Sequence, residues 1–280
     1  MNCEETAKAI RELKIQGAQQ IALSAAKSLK SCRNKLELKK GIRILIAARP
    51  TEPALRNALA YATRAGFNQV RQYFKDSNEK IALYGSRKIK HGYVVFTHCH
   101  SSTVVQVLVK ARKRVRFSVH NTETRPFLQG RITARELSRA GIKVTHFVDS
   151  AARLALKGAD IMMIGCDAVT AEGFIVNKIG SEMFAEIADS YQIPVYVCTN
   201  GWKYDGRTSQ GWDEVLESRF SKEVWPRPPR DVQISNRVFE IIHPRLITGV
   251  ISEFGITTVQ GFIEQVTSTY QWISQAPFFS

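Results

Sequence analysis

At 280 residues the chain exceeds the usual single-domain size of about 100–200 residues, so one large domain, or a large one carrying a smaller one, is expected. Apolar residues make up 44% and charged residues 23%, a globular balance, and no apolar run approaches the roughly 18–20 residues that span a bilayer. The net charge of +15 is the outlier and points to an anionic partner: nucleic acid, a phosphorylated metabolite or an acidic protein.

Part of that charge is clustered, in KARKRVR from Lys110 to Arg116 and SRKIKHG from Ser86 to Gly92. Neither cluster comes with zinc-finger spacing, an RNP-type motif or interleaved aromatics, so both read as solvated helix ends and loops. The opening MNCEETAKAI has no apolar stretch of the signal-peptide kind, and a cytoplasmic location is expected. Cysteines number five (Cys3, Cys32, Cys99, Cys166, Cys198) and form no C-x-x-C pair, which argues for reduced thiols rather than a disulfide framework or zinc ribbon.

In chain order, residues 1–92 read as a helical N-terminal domain. Ala9, Leu13, Ala18, Ile21, Ala22, Ala25 and Leu29 recur at roughly helical spacing. A second helix, over Leu55, Ala58, Leu59 and Ala62, has its start marked by Thr51 and Pro53; Gly66 ends it, and a third runs to Leu83. Only the GIRILIAARP run around Ile44 looks strand-like in this part.

From Tyr93 the texture changes, and residues 93–280 read as a Rossmann-like α/β domain. Short β-rich runs, YVVFTHC (93–99), VRFSVHNT (115–122), KVTHFVD (143–149), DIMMIGCD (160–167) and PVYVCTN (194–200), alternate with helical patterns. One of those helices has a capping-box signature in Thr133 and Glu136 and an end at Gly141. Continuous apolar strands separated by helices predict a doubly wound, mostly parallel sheet covered on both faces. Trp202 to Arg237 reads as a long irregular arm, and RLITGVISEFG (245–255) as a return to the sheet.

In such a sheet the binding crevice lies beyond the carboxyl ends of the strands. Each run ends in polar residues: Thr97 to Ser101, Asn121 to Arg125, Asp149 with Ser150, Cys166 with Asp167, and Thr199 with Asn200 and Lys203. Cys99 stands just before a helix capped by Ser101 or Ser102, where the positive end of the helix dipole would ease its ionisation. His98 and His100 alternate to the other side, and without an H-x-x-x-H or H-E-x-x-H pattern a metal is not expected. Asp167, closing an apolar strand, is the acid/base candidate. The loop after it brings Asn177, Lys178 and Gly180 to a helix start that would suit a phosphate.

The series HCHS (98–101), TETRPFLQG (122–130), DSAA (149–152), GCDAVTAEGFIVNKIGS (165–181) and WKY (202–204) resembles the family that joins ribose-1,5-bisphosphate isomerase, methylthioribose-1-phosphate isomerase and the regulatory α-type subunit of translation initiation factor 2B. IQGAQQIALSAAKSL (15–29) and ARPTEPALRNAL (48–59) resemble its helical, substrate-contacting part. The resemblance implies an aldose-ketose isomerase of nucleotide (AMP) salvage that turns ribose 1,5-bisphosphate into ribulose 1,5-bisphosphate, with Cys99 and Asp167 as proton carriers and with no metal or cofactor. It implies substrate contacts from Gln16, Gly17, Ala18, Arg49, Arg125, Asn177, Lys178 and Lys203, and a homo-oligomer built through the α/β domain. Two departures keep other branches open: Gln16 stands where the bisphosphate isomerases usually have an arginine, and FEIIHP (239–244) replaces a segment with more prolines. The alternatives are methylthioribose-1-phosphate isomerase and a non-catalytic regulator binding initiation factor 2.

Overall fold

The computed structural model describes residues 1–208 and 218–273. Asn2 caps α1 (Cys3–Arg11) through a reciprocal pair of bonds with Glu5. The apolar series from Ala9 to Leu29 does not form one helix. Leu13 and Gly17 take left-handed φ values of 56° and 79°, so the chain turns before α2 (Ala18–Ser28). The run around Ile44 is not a strand either. It belongs to α3 (Lys35–Ala48), whose start is fixed by the Asn34 side chain accepting from the amides of Leu36 and Glu37, and which buries Gly41, Ile42 and Leu45 on one helical face. Here the spacing of the buried residues overrides the β-branched content. Glu52, not Thr51, is the N-cap of α4 (Pro53–Ala65), and α5 (Phe67–Lys88) runs beyond Leu83.

The chain then alternates: β1 (Val94–Thr97), α6 (Ser102–Arg112), β2 (Ser118–Thr122), α7 (Gly130–Arg139), β3 (Lys143–Phe147), α8 (Ala152–Leu156) and β4 (Ile161–Ile164). After β4 come β5 (Ala168–Val169), β6 (Ile175–Lys178), α9 (Ser181–Ser190), β7 (Val195–Cys198), β8 (Phe239–Ile242), β9 (Gly249–Ser252), β10 (Gly255–Thr257) and α10 (Val259–Thr269). Seven strands form one sheet in the order β10-β9-β7-β4-β1-β2-β3, parallel throughout except for β10 at the edge. The fold is therefore α/β, with a helical N-terminal region and a mostly parallel sheet. The loop read after Asp167 is in fact a hairpin of β5 and β6, which with β8 makes a small antiparallel sheet. Segment 245–255 does return to the main sheet, as β9 beside β7.

β4 and β7 are buried on both faces, as their unbroken apolar runs require. On one face, Phe96, Met162 and Ile164 share a core with Ala22, Ala26, Ala58, Val70 and Phe74 of the N-terminal helices. On the other, Val104, Leu108 and Leu137 of α6 and α7 cover Val95, Val119 and Met163. The described part of the arm from Trp202 to Arg237 holds 3₁₀ turns and an isolated bridge between Ser218 and Arg237. Its first residue is not irregular surface. Trp202 is 1% exposed and stacks on Tyr73 with ring centroids 3.7 Å apart, while Asn57 donates to the carbonyls of Trp202 and Tyr204.

The strand order reverses between β1 and β4. From β1 the chain winds toward β2 and β3, and from β4 it winds toward β7 and β9. β1 and β4 pair directly, Val95 with Ile161 and Phe96 with Met162, so the segments that follow them emerge side by side at the switch point.

Candidate active site

Cys99 follows β1 by two residues in a left-handed conformation, φ 65°, which a non-glycine residue holds only when its surroundings dictate it. Two bonds dictate it: its N–H donates to Thr124 Oγ1 at 3.1 Å, and its carbonyl accepts from Thr133 Oγ1 at 2.9 Å. Thr124, itself at φ 63°, is held by its own N–H donating to Asp149 Oδ1 at 2.8 Å. The end of β3 thus positions the tip of β2, which positions the thiol. Thr133 has been drawn into this network and is not a helix cap, since α7 already begins at Gly130. An added methyl at Gly130 would lie 1.7 Å from the carbonyl oxygen of Thr122, a backbone atom that cannot yield. Gly130→Ala is therefore expected to lower the thermal midpoint by several degrees and to depress any activity that depends on Cys99. Calorimetry run beside a turnover assay checks it.

The thiol is buried, with Sγ 3.7 Å from Gln129 Oε1. Ser101 caps α6, its side chain accepting from the Val104 amide, but the expected easing of ionisation does not follow. Burial pushes Cys99 up to about 11 against the pull of the Lys178 charge, so desolvation outweighs the helix end and the thiol keeps its proton at neutral pH.

The histidines of THCHS have separate tasks. His98 is 2% exposed, with Nε2 2.9 Å from the Ile179 carbonyl and Nδ1 2.6 Å from Thr122 Oγ1. A carbonyl only accepts, so Nε2 carries the hydrogen. Burial pushes His98 down to about 4, leaving it a neutral tie between the tip of β1 and the turn after Lys178. His100 lines the site and contacts Thr133 Oγ1 through Nδ1 at 3.1 Å.

Asp167 lies three residues past β4, its N–H donating to the Val176 carbonyl of the hairpin at 2.8 Å. Gly165, two residues earlier, lets this segment pack closely against the N-cap of α6, because a Cβ there would fall 2.6 Å from Ser101 Oγ. Asn177 is buried and donates to Ser181 Oγ at 3.0 Å at the start of α9. Lys178 Nζ lies 4.8 Å from the ring centre of Phe239, and the Arg49 guanidinium lies 5.7 Å from it on the same ring. Lys203 Nζ donates to the carbonyl of Cys166.

These groups face one cavity of about 570 Å³. Cys99, Asp167, Arg49, Asn177, Lys178 and Lys203 line it, as do Gln16, Gly17 and Ala18 at the start of α2 and Ser102 and Thr103 at the start of α6. Two helix N-termini and several cations lining one cavity suit an anionic ligand, and a thiol and a carboxyl lining it with them can move protons on whatever binds there. Gln16 is exposed and its amide donates to Leu13 O at 2.8 Å.

Arg125 is not among the lining residues. It is exposed, its guanidinium is 3.5 Å from the carbonyl of Val224, and its backbone N–H donates to Asp149 Oδ2 at 2.7 Å. The motif is in place, but it contributes backbone to the tip rather than a cation to the cavity. Glu52, Gln129, Arg219 and Phe239 also line the cavity, and sequence reasoning passed over them as site residues. Glu52 directly before Pro53 looks like a helix-capping carboxylate, and Phe239 reaches the site only through the pairing of β8 with β6.

The comparisons with known proteins agree with this architecture. The chain is 31% identical to the ribose 1,5-bisphosphate isomerase of Thermococcus kodakarensis, covering 96% of this chain and 94% of that one. It is 32% identical to the methylthioribose-1-phosphate isomerase of Symbiobacterium thermophilum, over 90% of this chain and 83% of that one. A solved structure described as the translation initiation factor eIF-2B of Pyrococcus horikoshii superposes with a TM-score of 0.79 at 25% identity, covering 91% of this chain and 96% of that one. The model of the initiation factor 2 subunit family matches residues 11–259, nearly the whole described chain, and the protein belongs to that family.

Proposed function

We propose that the protein is an aldose-ketose isomerase that converts ribose 1,5-bisphosphate to ribulose 1,5-bisphosphate, a step of nucleotide salvage. One observation carries the reading: Cys99 and Asp167 open onto the same cavity, and Lys14, Arg49, Lys178, Lys203 and Arg219 line it with them. Likeness to named sugar-phosphate isomerases over nearly the full chain supports it.

The reaction requires two proton carriers. As the C2 proton leaves for the first carrier, its bonding electrons form a C1–C2 double bond, the C1–O4 ring bond breaks, and O4 takes a proton from the second. In the return step the first carrier gives its proton to C1 while the second takes the proton of the C2 hydroxyl, which becomes the ketone. Both carriers end as they began, and the phosphates are untouched. Cys99 and Asp167 are these carriers. The donors along the wall stabilise the charge that develops on oxygen in between.

Each phosphate brings up to two negative charges and needs cationic or N–H partners. In this reading Gln16, Gly17 and Ala18 present the start of α2 to one phosphate, and Arg49, Asn177, Lys178 and Lys203 face the other and the sugar. Arg125 takes no part. The number of cations favours a bisphosphate over methylthioribose 1-phosphate, whose second end is an uncharged thioether.

Incubation of the purified protein with each sugar phosphate, followed by carbon NMR, tests the proposal. Ribose 1,5-bisphosphate is expected to give a ketone signal at C2 and a methylene at C1. Turnover of methylthioribose 1-phosphate alone would move the protein to the other branch. Failure of both, together with capture of initiation factor 2 at modest salt, would make it a regulator.

A further inference from the structure

Glu52 stands at the N-cap of α4, where a carboxylate ordinarily accepts from the free N–H groups of the first turn. Here the side chain makes no such bond. It lines the cavity, is 2% exposed, and its Oε1 is buried without a hydrogen-bond partner among the described residues. The cations around it are engaged elsewhere. Arg56, on the same helix, bonds Asp205 and the Pro50 carbonyl; Lys203 bonds the Cys166 carbonyl; Arg49 lies over Phe239. Asp167 lines the same cavity, and its charge bears on Glu52. Two carboxylates in one low-dielectric cavity cannot both ionise cheaply.

We propose that Glu52 is a further working residue of this cavity: a neutral carboxylic acid that donates a hydrogen bond to a hydroxyl of the bound sugar. The inference rests on reading the cavity as a sugar-phosphate site. A protonated carboxyl donates where a carboxylate can only accept, and it adds no charge to repel a phosphate. Burial first, then the charge of Asp167, push Glu52 up to about 8, against Lys203, Arg49 and Arg56.

The sign of the stability effect follows. A carboxyl with a folded-state pKa raised from 4.5 to about 8 costs the fold nothing below 4.5, and the cost grows as pH rises toward 8. Glu52→Gln removes that cost. Thermal midpoints of wild type and Glu52→Gln, without substrate, are expected to coincide near pH 5 and to separate by several degrees near pH 9, the variant being the more stable. Coincidence near pH 9 overturns the proposal, whatever the substrate.

With ribose 1,5-bisphosphate, kcat/KM of the wild type should fall through an alkaline limb near pH 8. Glu52→Gln, which keeps a donor, should lose several-fold near pH 6 but shift that limb upward by at least about a unit; Glu52→Ala should lose about a hundredfold near pH 6 at unchanged far-ultraviolet dichroism. Wild-type turnover that neither variant alters sinks this inference and spares the proposed function. Absence of wild-type turnover with the midpoint separation intact sinks the function and the sugar contact, and leaves only the protonation standing.

Discussion

Cys99→Ser and Asp167→Asn are each expected to lower kcat by about 10²–10⁴-fold, the usual worth of a positioned proton carrier. A serine hydroxyl fits the space of the thiol, but its oxygen gives up a proton far less readily. An asparagine amide keeps the shape of the carboxyl and carries no exchangeable acid. Both side chains already sit in a formed cavity, so unfolding midpoints should stay close to wild type. The paired variant should cost little more than the worse single one, because carriers that act in one cycle are not additive. Substrate deuterated at C2 then separates the roles: the variant that abolishes wash-out of the label into water has lost the carrier at carbon. The buried thiol is protonated at neutral pH. If Cys99 is that carrier, another group must first accept its proton, and the label experiment decides. Wild-type turnover in either variant would end the assignment.

The second large effect concerns the fold. Asp205 is 2% exposed and accepts from Arg56 at 2.5 Å and from Arg207 at 2.8 Å, tying α4 to the segment that follows Trp202. Burial alone would raise the carboxyl, but the bonds from Arg207 and the charges of Arg56 and Arg207 outweigh it and hold it down at about 2. Removing one member of a buried ion pair leaves the other uncompensated, so Asp205→Asn should cost about 3–5 kcal/mol and lower the midpoint by on the order of 10 °C. The sign with pH follows from the depressed value. The stabilisation is fully present above 3.8 and is lost as pH falls through about 2. Urea melts of wild type and variant should therefore differ most near neutrality and converge in strong acid. A variant as stable as wild type near pH 7 would show that α4 does not depend on this pair.

The helices, strands and polar tips were legible where period and composition agreed. The apolar runs at 160–164 and 194–198 could only be central strands, and placing Cys99 and Asp167 beyond strand ends required no more than the rule for parallel sheets. Local pattern misled where tertiary contacts decide. Ile44 lies among β-branched neighbours, yet Asn34 and a one-sided burial pattern make the segment a helix. Thr133 carries a capping-box spacing but spends its hydroxyl on Cys99. The ionisation of Cys99 was misjudged because a helix dipole is visible in sequence and the depth of burial is not. Arg125 and Glu52 show the same limit: the chain says which residue stands at a bend, and only the fold says whether its side chain looks inward.

The pairing of β1 with β4 gives the site a division of labour. Adjacent strands in a sheet lie about 4.8 Å apart, and this pair is wedged in the middle of the sheet with packed layers above and below. Cys99 and Asp167 thus inherit their mutual placement from the middle of the sheet. Gly17 and Ala18 sit instead at the start of α2, and Asn177 and Lys178 on the smaller sheet. Such a frame lets residues at the rim change while the central spacing stays as it is.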